Sequence, residues 1–403
     1  MADSKRGLAA VPRGVWVLGI VSLCMDLSSE LIHALLPLYL AAGLGLSMLA
    51  IGVIEGIAEA TALIVKVFSG VLSDYFHRRK PLVVLGYGLA ACTKIVFPLA
   101  TTVGWIVTAR FADRVGKGIR GAPRDALIAD ITPADVRGAG FGLRQALDTV
   151  GGVGGPLLAI VAIAAYAGDF KAAFWVAVVP AFAAVVLLVL GVDEPDRPAS
   201  DAEKSAAKRL QFADAKRLGR GFAVVVAIAA VLTLARFSEA FLVLRARDVG
   251  LDITAAPWVM VAMSAVYAAV SYPAGSAADR GHGPKLLSAG LISLVAADLV
   301  LANATGGAGA VFGAMLWGLH MGLTQGLLSA LVAASAPPDL RGTAFGVFNL
   351  VCGIALLAAS VLAGWLWDAF GPRFTFYAGA ALTVIAWVGF LLYGRGAANL
   401  RRS

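Results

Sequence analysis

Eighteen charged side chains lie inside stretches that are otherwise apolar, and chemistry in this chain has to be sought among them. The bases are Lys66, Lys94, Arg110, Arg114, Lys117, Arg120, Arg124, Arg144 and Arg236. The acids are Asp26, Glu30, Glu55, Glu59, Asp113, Asp125, Asp148, Glu239 and Asp298. In a bilayer each lone charge would cost about 2.5 kcal/mol or more, so these groups must pair or line water. Their spacing places them on shared helical faces. Asp26 and Glu30 are four apart with His33 next on that face, and Glu55 and Glu59 are four apart with Lys66 seven beyond. Arg144 and Asp148 are four apart, and Arg236 and Glu239 three. Arg110, Arg114, Lys117 and Arg124 form a basic stripe at intervals of four, three and seven.

Carboxylates in such surroundings can carry protons when a nearby charge or ligand changes their affinity. Glu30, Glu55, Glu59 and Asp148 are the candidate carriers, with Asp26 beside them. Lys66, Arg110, Arg114, Arg144, Arg236, Glu239 and Gln325 are candidate contacts for a polar or charged substrate. The competing reading is a permanent network of internal salt bridges. The set Asp26, Glu30, His33, Glu55 and Glu59 also suits a divalent cation carried as cargo. No resident metal or cofactor is expected. P-loop and dinucleotide-binding patterns, catalytic triads and zinc-hydrolase motifs are absent, so the chain is not expected to be an enzyme.

The elements that hold these charges follow from composition. Of 403 residues, 60% are hydrophobic and 14% charged, against about 45–50% and 25% in soluble chains. That much apolar surface cannot be hidden in one water-soluble core. At about 20 residues per span, the apolar segments predict twelve transmembrane helices. They lie at 14–42, 48–75, 81–100, 103–131, 138–166, 171–191, 220–246, 254–278, 284–303, 307–335, 340–368 and 373–394. Residues 193–219 form the one long hydrophilic stretch, expected as a cytoplasmic linker between bundles 1–192 and 220–403. By this topology twenty of the 33 Lys and Arg lie on the side of the termini and four on the other. The bias puts both termini in the cytoplasm. It also explains the net charge of +8 without nucleic acid. No cleavable signal peptide is expected, and Cys24, Cys92 and Cys352 read as small apolar residues rather than a disulfide framework.

The two halves repeat. Gly70, Asp74 and Lys80 match Gly275, Asp279 and Lys285 at an offset of 205. Pro133, Arg137, Gly138, Phe141 and Gly142 match Pro337, Arg341, Gly342, Phe345 and Gly346 at 204. The helix 4 stripe does not repeat: its counterpart has His320, Thr324 and Gln325. Proton and charge chemistry is therefore expected in the first half, and packing and polar contacts in the second.

With these features the chain resembles the major facilitator superfamily along essentially its whole length, in particular its bacterial twelve-helix drug and metabolite exporters. Gly70, Leu72, Asp74, Arg78 and Arg79 resemble that family's gating motif after helix 2, departing from it at Tyr75 and His77. Gly142, Gly151, Gly155, Pro156 and Ala159 resemble its helix 5 motif, associated with exporters, with Ala159-Ile160 where that motif ends in two glycines. Arg110, Gly116 and Gly118 loosely resemble its proton-coupling motif in helix 4. The resemblance implies an all-α membrane protein of two pseudo-symmetric six-helix bundles. It further implies a monomer in the plasma (inner) membrane that exports a small molecule in exchange for protons by alternating access. Import or uniport of an organic anion, and a transporter-like sensor or scaffold without flux, are the alternatives.

Overall fold

The computed structural model describes residues 11–76, 78–133, 136–194, 217–337 and 340–400, and no strand occurs among them. In hydrocarbon every backbone polar group needs a partner within its own segment, which these apolar stretches achieve as helices. The first six helices are α1 (Arg13–Leu38), α2 (Met48–Phe76), α3 (Lys80–Leu99), α4 (Val103–Ile131), α5 (Arg137–Ala165) and α6 (Phe170–Gly191). Then come α7 (Gly219–Ala235), α8 (Ala240–Asp248), α9 (Trp258–Ala277) and α10 (Gly283–Asn303). The last three are α11 (Gly307–Ser335), α12 (Arg341–Phe370) and α13 (Pro372–Leu400).

Among the described residues, ten stretches are long and apolar enough to cross a membrane. One of them, Trp258–Asn303, holds both α9 and α10, and α4, 29 residues long, is kept out of the set by its charges. Counting α9 and α10 separately and adding α4, the described residues give twelve long segments, in keeping with the expectation.

The seventh crossing differs from expectation. Instead of one helix over 220–246 it is two, α7 and α8, separated at Arg236-Phe237-Ser238-Glu239. Neither Gly nor Pro marks the break. It is stabilised from outside the segment: Ser238 N donates to Ser360 Oγ of α12 at 3.2 Å, while Phe237 packs on Phe241, Trp317 and Phe376 with ring centroids 5.3–5.7 Å apart. Tertiary partners replace the lost helical ones. Two π-turns, Tyr39–Gly43 and Ala278–His282, extend α1 and link α9 to α10. In the second, Gly281 adopts φ 89°, a conformation glycine takes without steric cost.

Acidic side chains cap three helix starts, where free N–H groups and the helix dipole favour negative charge. Glu194 accepts from Arg79 N and Lys80 N at the start of α3. Asp169 accepts from Lys171 N and Ala172 N of α6. Asp368, on α12, accepts from Met48 N and Leu49 N of α2 at 3.0 and 2.8 Å.

The chain forms two compact units, Met1–Leu36 with Thr61–Leu210, and Pro37–Ala60 with Gln211–Ser403. Most of the expected linker, residues 195–216, lies outside the described residues. The sequence did not signal that residues 37–60 join the second unit.

In the first unit, Leu18, Val21 and Met25 of α1 pack with Val83, Tyr87 and Ala90 of α3 and Leu127 and Ile128 of α4. In the second, Phe222 and Val225 of α7 meet Val332 of α11 and Ala344 of α12. The repeat is visible in the packing. Helix α3 packs on α4 and α6, and its counterpart α10 packs on α11 and α13. A methyl at Gly86 would meet the Gly116 carbonyl at 2.7 Å, and one at Gly290 the His320 carbonyl at 3.5 Å. Both pairs are related by the offset of 204.

Within the second unit the first half of α2 lies tightly on α12. A methyl at Gly364 would sit 2.2 Å from Met48 O, and one at Gly52 2.2 Å from Ser360 O. Small residues permit this backbone approach in lipid. Gly364→Ala is expected to cost about 1–3 kcal/mol, because backbone and not a side-chain tip must yield. Gly88→Ala, with open space around it, should be near neutral. Thermal unfolding of the purified protein compares the two, and equal midpoints would contradict this packing.

Candidate functional site

The first unit carries two linked charge clusters. In the deeper one Lys94 of α3 has no solvent exposure. It donates to Asp113 Oδ1 of α4 at 2.8 Å and to Ser29 Oγ of α1 at 3.2 Å. Arg114 Nε lies 3.5 Å from the other Asp113 oxygen, and Arg110, also buried, donates to His33 Nδ1 at 3.5 Å. Sequence spacing could not anticipate the Lys94–Asp113 pair, because its members sit on different helices. It depends on the glycine contact that brings α3 against α4.

The second cluster lies further along α4. Arg124 and Arg144 share Asp125 and Asp148: Arg124–Asp125 is 3.2 Å, Arg124–Asp148 3.9 Å and Arg144–Asp125 3.3 Å, and Arg144 also bonds Asp148 directly. The expected pairing of Arg144 with Asp148 is thus present, within a larger square. Arg124 further donates to Ser22 Oγ at 2.7 Å, and Arg120 stacks over the Tyr87 ring at 4.8 Å. Lys66 is exposed, its stem running along Gly121.

Asp26 and Glu30, half-buried on α1, face the helix 5 motif. A methyl at Gly151 would lie 2.8 Å from Asp26 Cβ, and one at Gly155 2.4 Å from Glu30 Cβ. Pro156 is buried with them, whereas Gly142 meets open space. Asp26 lies within electrostatic reach of Asp148, Lys117, Arg120 and Glu30. Glu55 and Glu59 are on the part of α2 that belongs to the second unit, buried and half-buried respectively.

In the loop after α2, Arg79 pairs with Asp130 at the end of α4, at 2.8 Å. Arg78 is exposed, and Gly70 lies 3.4 Å, by its would-be methyl, from Ala122 Cβ. The side chain of Asp74 lies outside the described residues. In the repeat, Gly275 and Asp279 are exposed, Asp279 within the π-turn. Asp130 and Glu194, which hold this region, carried no sequence signal beyond their charge.

The second unit has fewer charges. Arg236 sits at the break of the seventh crossing within electrostatic reach of Glu239, Tyr267 and Cys352. Tyr267 donates to Gln325 Oε1 at 2.9 Å. His320 Nδ1 lies 2.8 Å from Gly290 O, and its Nε2 has no hydrogen-bond partner. Asp298 is fully buried with neither oxygen hydrogen-bonded, beside Gly379, whose other near neighbour is Phe237.

The offset of 204 explains this placing. Asp298 stands where the first unit has Lys94, Trp317 where it has Asp113, and Phe237 where it has His33. The polar network of the first unit becomes an aromatic cluster around one carboxyl.

The profile of the Major Facilitator Superfamily matches residues 18–358 and 226–402. The chain belongs to the major facilitator superfamily. An uncharacterized MFS-type transporter of Methanocaldococcus jannaschii is 31% identical over 382 residues, covering 93% of each chain. The inner membrane transport protein YajR of Escherichia coli is 25% identical over 390 residues, 93% of this chain and 81% of that one. The crystal structure of a bacterial homolog of the human lysosomal transporter Spinster superposes with a TM-score of 0.77 at 16% identity, over 98% of both chains. This superfamily member is a multi-pass membrane transporter of small molecules and not an enzyme.

Lys94→Met should destabilise by about 3 kcal/mol, since it removes the hydrogen-bonded partner of buried Asp113 and leaves only Arg114 at 3.5 Å, and Lys94→Met/Asp113→Leu should recover only part of the loss, because Arg114 then loses that carboxylate. Asp298→Leu, which orphans no partner, should leave the unfolding midpoint unchanged or raise it. A fall as large as that of Lys94→Met would mean that Asp298 is held by a partner. Thermal unfolding in detergent reads all three.

Proposed function

We propose that this transporter is a proton-coupled exporter of a polar or charged small molecule, acting by alternating access as a monomer in the plasma (inner) membrane with both termini cytoplasmic. The observation that carries the reading is the seating of Asp26 and Glu30 on Gly151 and Gly155, the glycines that resemble the exporter motif. Glycines there let α1 lie against α5 backbone to backbone, so the two carboxylates ride on the face that must slide if the helices move. Both remain half-exposed and reachable by water.

Charge gives the coupling its logic. Asp26, Glu30 and Asp148 are near neighbours, and Lys117 and Arg120 face Asp26. A proton taken up by this group removes one negative charge and loosens its hold on the two cations. A substrate that meets those cations, or displaces the proton, then has a different affinity in the two protonation states, which is what coupling requires. The loop after α2 would latch the cytoplasmic side. Arg79–Asp130 joins that loop to the end of α4, and Glu194 ties it to the segment after α6. The strong bias of Lys and Arg to one side supports the orientation.

Everted membrane vesicles acidified inside, so that protons run outward as substrate enters, tested against a panel of metabolites and antibiotics, check this reading. Substrate-dependent proton flux is expected in the native protein. Asp26→Asn should abolish it while leaving substrate-for-substrate exchange. Accumulation of the same substrate by intact cells would support uptake instead, and absence of flux for a ligand that binds would support a sensor.

A further inference from the structure

Two lysines of the first unit remain when the ion pairs have been assigned. Lys66 of α2 and Lys117 of α4 are both exposed, Lys66 four residues before the end of the apolar stretch Met48–Gly70 and Lys117 near the middle of α4. Neither forms an ion pair or a side-chain hydrogen bond with a described residue. An ammonium group at that depth does not face lipid, where it would cost about 2.5–3.5 kcal/mol. Both therefore face water or a ligand.

They also face each other. Lys66 lies within electrostatic reach of Lys117, Arg124, Arg144 and Asp125. Lys117, Gly121 and Arg124 fall on one face of α4, and the Lys66 stem runs along Gly121, its Cε 3.7 Å from a would-be methyl there. The missing side chain at 121 leaves a notch with Lys66 in it, Lys117 to one side and Arg124 to the other. Asp125, within electrostatic reach of Lys66, and Asp148 each hold an arginine, and Asp26 lies within electrostatic reach of Lys117, but none of the three makes a direct ion pair with either lysine.

The fold does not impose this arrangement. By the repeat offsets of 205 and 204, the second unit has Ser271, Met321 and Gln325 where the first has Lys66, Lys117 and Gly121. Two adjacent cations with no carboxylate in direct contact repel each other, and an anion between them relieves that repulsion.

We propose that Lys66 and Lys117 form an anion-binding site for a small organic anion bearing a carboxylate or phosphate. As the substrate class of the transporter, the assignment rests on the transport reading above; as a binding site it does not.

The probe is pyridoxal 5′-phosphate, an anionic aldehyde that forms an imine with a nearby lysine and is trapped by borohydride. It is applied to the full-length protein in nanodiscs of phosphatidylcholine, followed by peptide mapping. Labelling is expected at Lys66 or Lys117 in preference to Lys80 and Lys285, and it should be lost with excess succinate or inorganic phosphate. Chloride at matched ionic strength should not protect. Lys66→Arg should retain protection at Lys117, and Lys66→Gln should lose it. Labelling no stronger than at Lys80, or equal protection by chloride, overturns the proposal. Protection seen only in nanodiscs containing phosphatidylglycerol also overturns it, because the anion would then be a lipid headgroup. If labelling and protection hold while flux is absent in proteoliposomes, the site stands and the transport reading fails.

Discussion

Lys94 and Asp113 are buried together, and the arrangement of the first unit depends on keeping them so. In a low-dielectric interior a charge is tolerated only with a partner and with its remaining hydrogen bonds satisfied. Lys94 meets that condition through Asp113 and Ser29, and Asp113 through Lys94 and Arg114. The pair in turn requires α3 and α4 to touch, which the glycines at 86 and 116 permit. Close packing and charge pairing are here one constraint. Helices that separated would lose dispersion contacts and expose an unpaired ion in the same step.

The same rule sorts the other charges by task. Arg124, Arg144, Asp125 and Asp148 neutralise one another and tie α4 to α5. Asp26 and Glu30 are less enclosed, lie on glycine surfaces, and keep access to water. Lys66 and Lys117 are exposed and make no direct ion pair with a described residue. A transporter needs both kinds of group: a fixed electrostatic frame, and a few charges whose partners can change. Alternating access depends on the second kind, because only differential contacts between two states shift a population.

The second unit shows what the fold requires once the charges are removed. Its helices pack in the same order, yet Lys94, Asp113 and His33 are replaced by Asp298, Trp317 and Phe237. The aromatic cluster supplies packing energy where the first unit uses ion pairs. It also buttresses the broken seventh crossing. Phe237 lies in the break, and Ser360 takes the hydrogen bond that a continuous helix would have supplied internally. The expected division of labour, with charge chemistry concentrated in the first half, is softened by the placing of Glu55 and Glu59. Both sit on a stretch of α2 that packs with the second unit.

Much of this was legible in the sequence alone. Hydropathy determined the helical class, because an apolar run of about twenty residues satisfies its own backbone in a bilayer as a helix. Near-neighbour pairs such as Arg144 and Asp148 were visible too, since i,i+4 spacing is local. The repeat showed itself at Gly70 and Gly275, where a turn ties residue type to position. Tertiary structure alone decided the rest. Lys94 and Asp113 meet across helices, the break at Arg236–Glu239 has no Gly or Pro to announce it, and Asp368 caps a helix more than three hundred residues away in the chain. Which charges are matched and which stay open is likewise set by helix contacts. Local sequence fixes the face on which a side chain lies, whereas its counter-ion depends on which helix is pressed against that face.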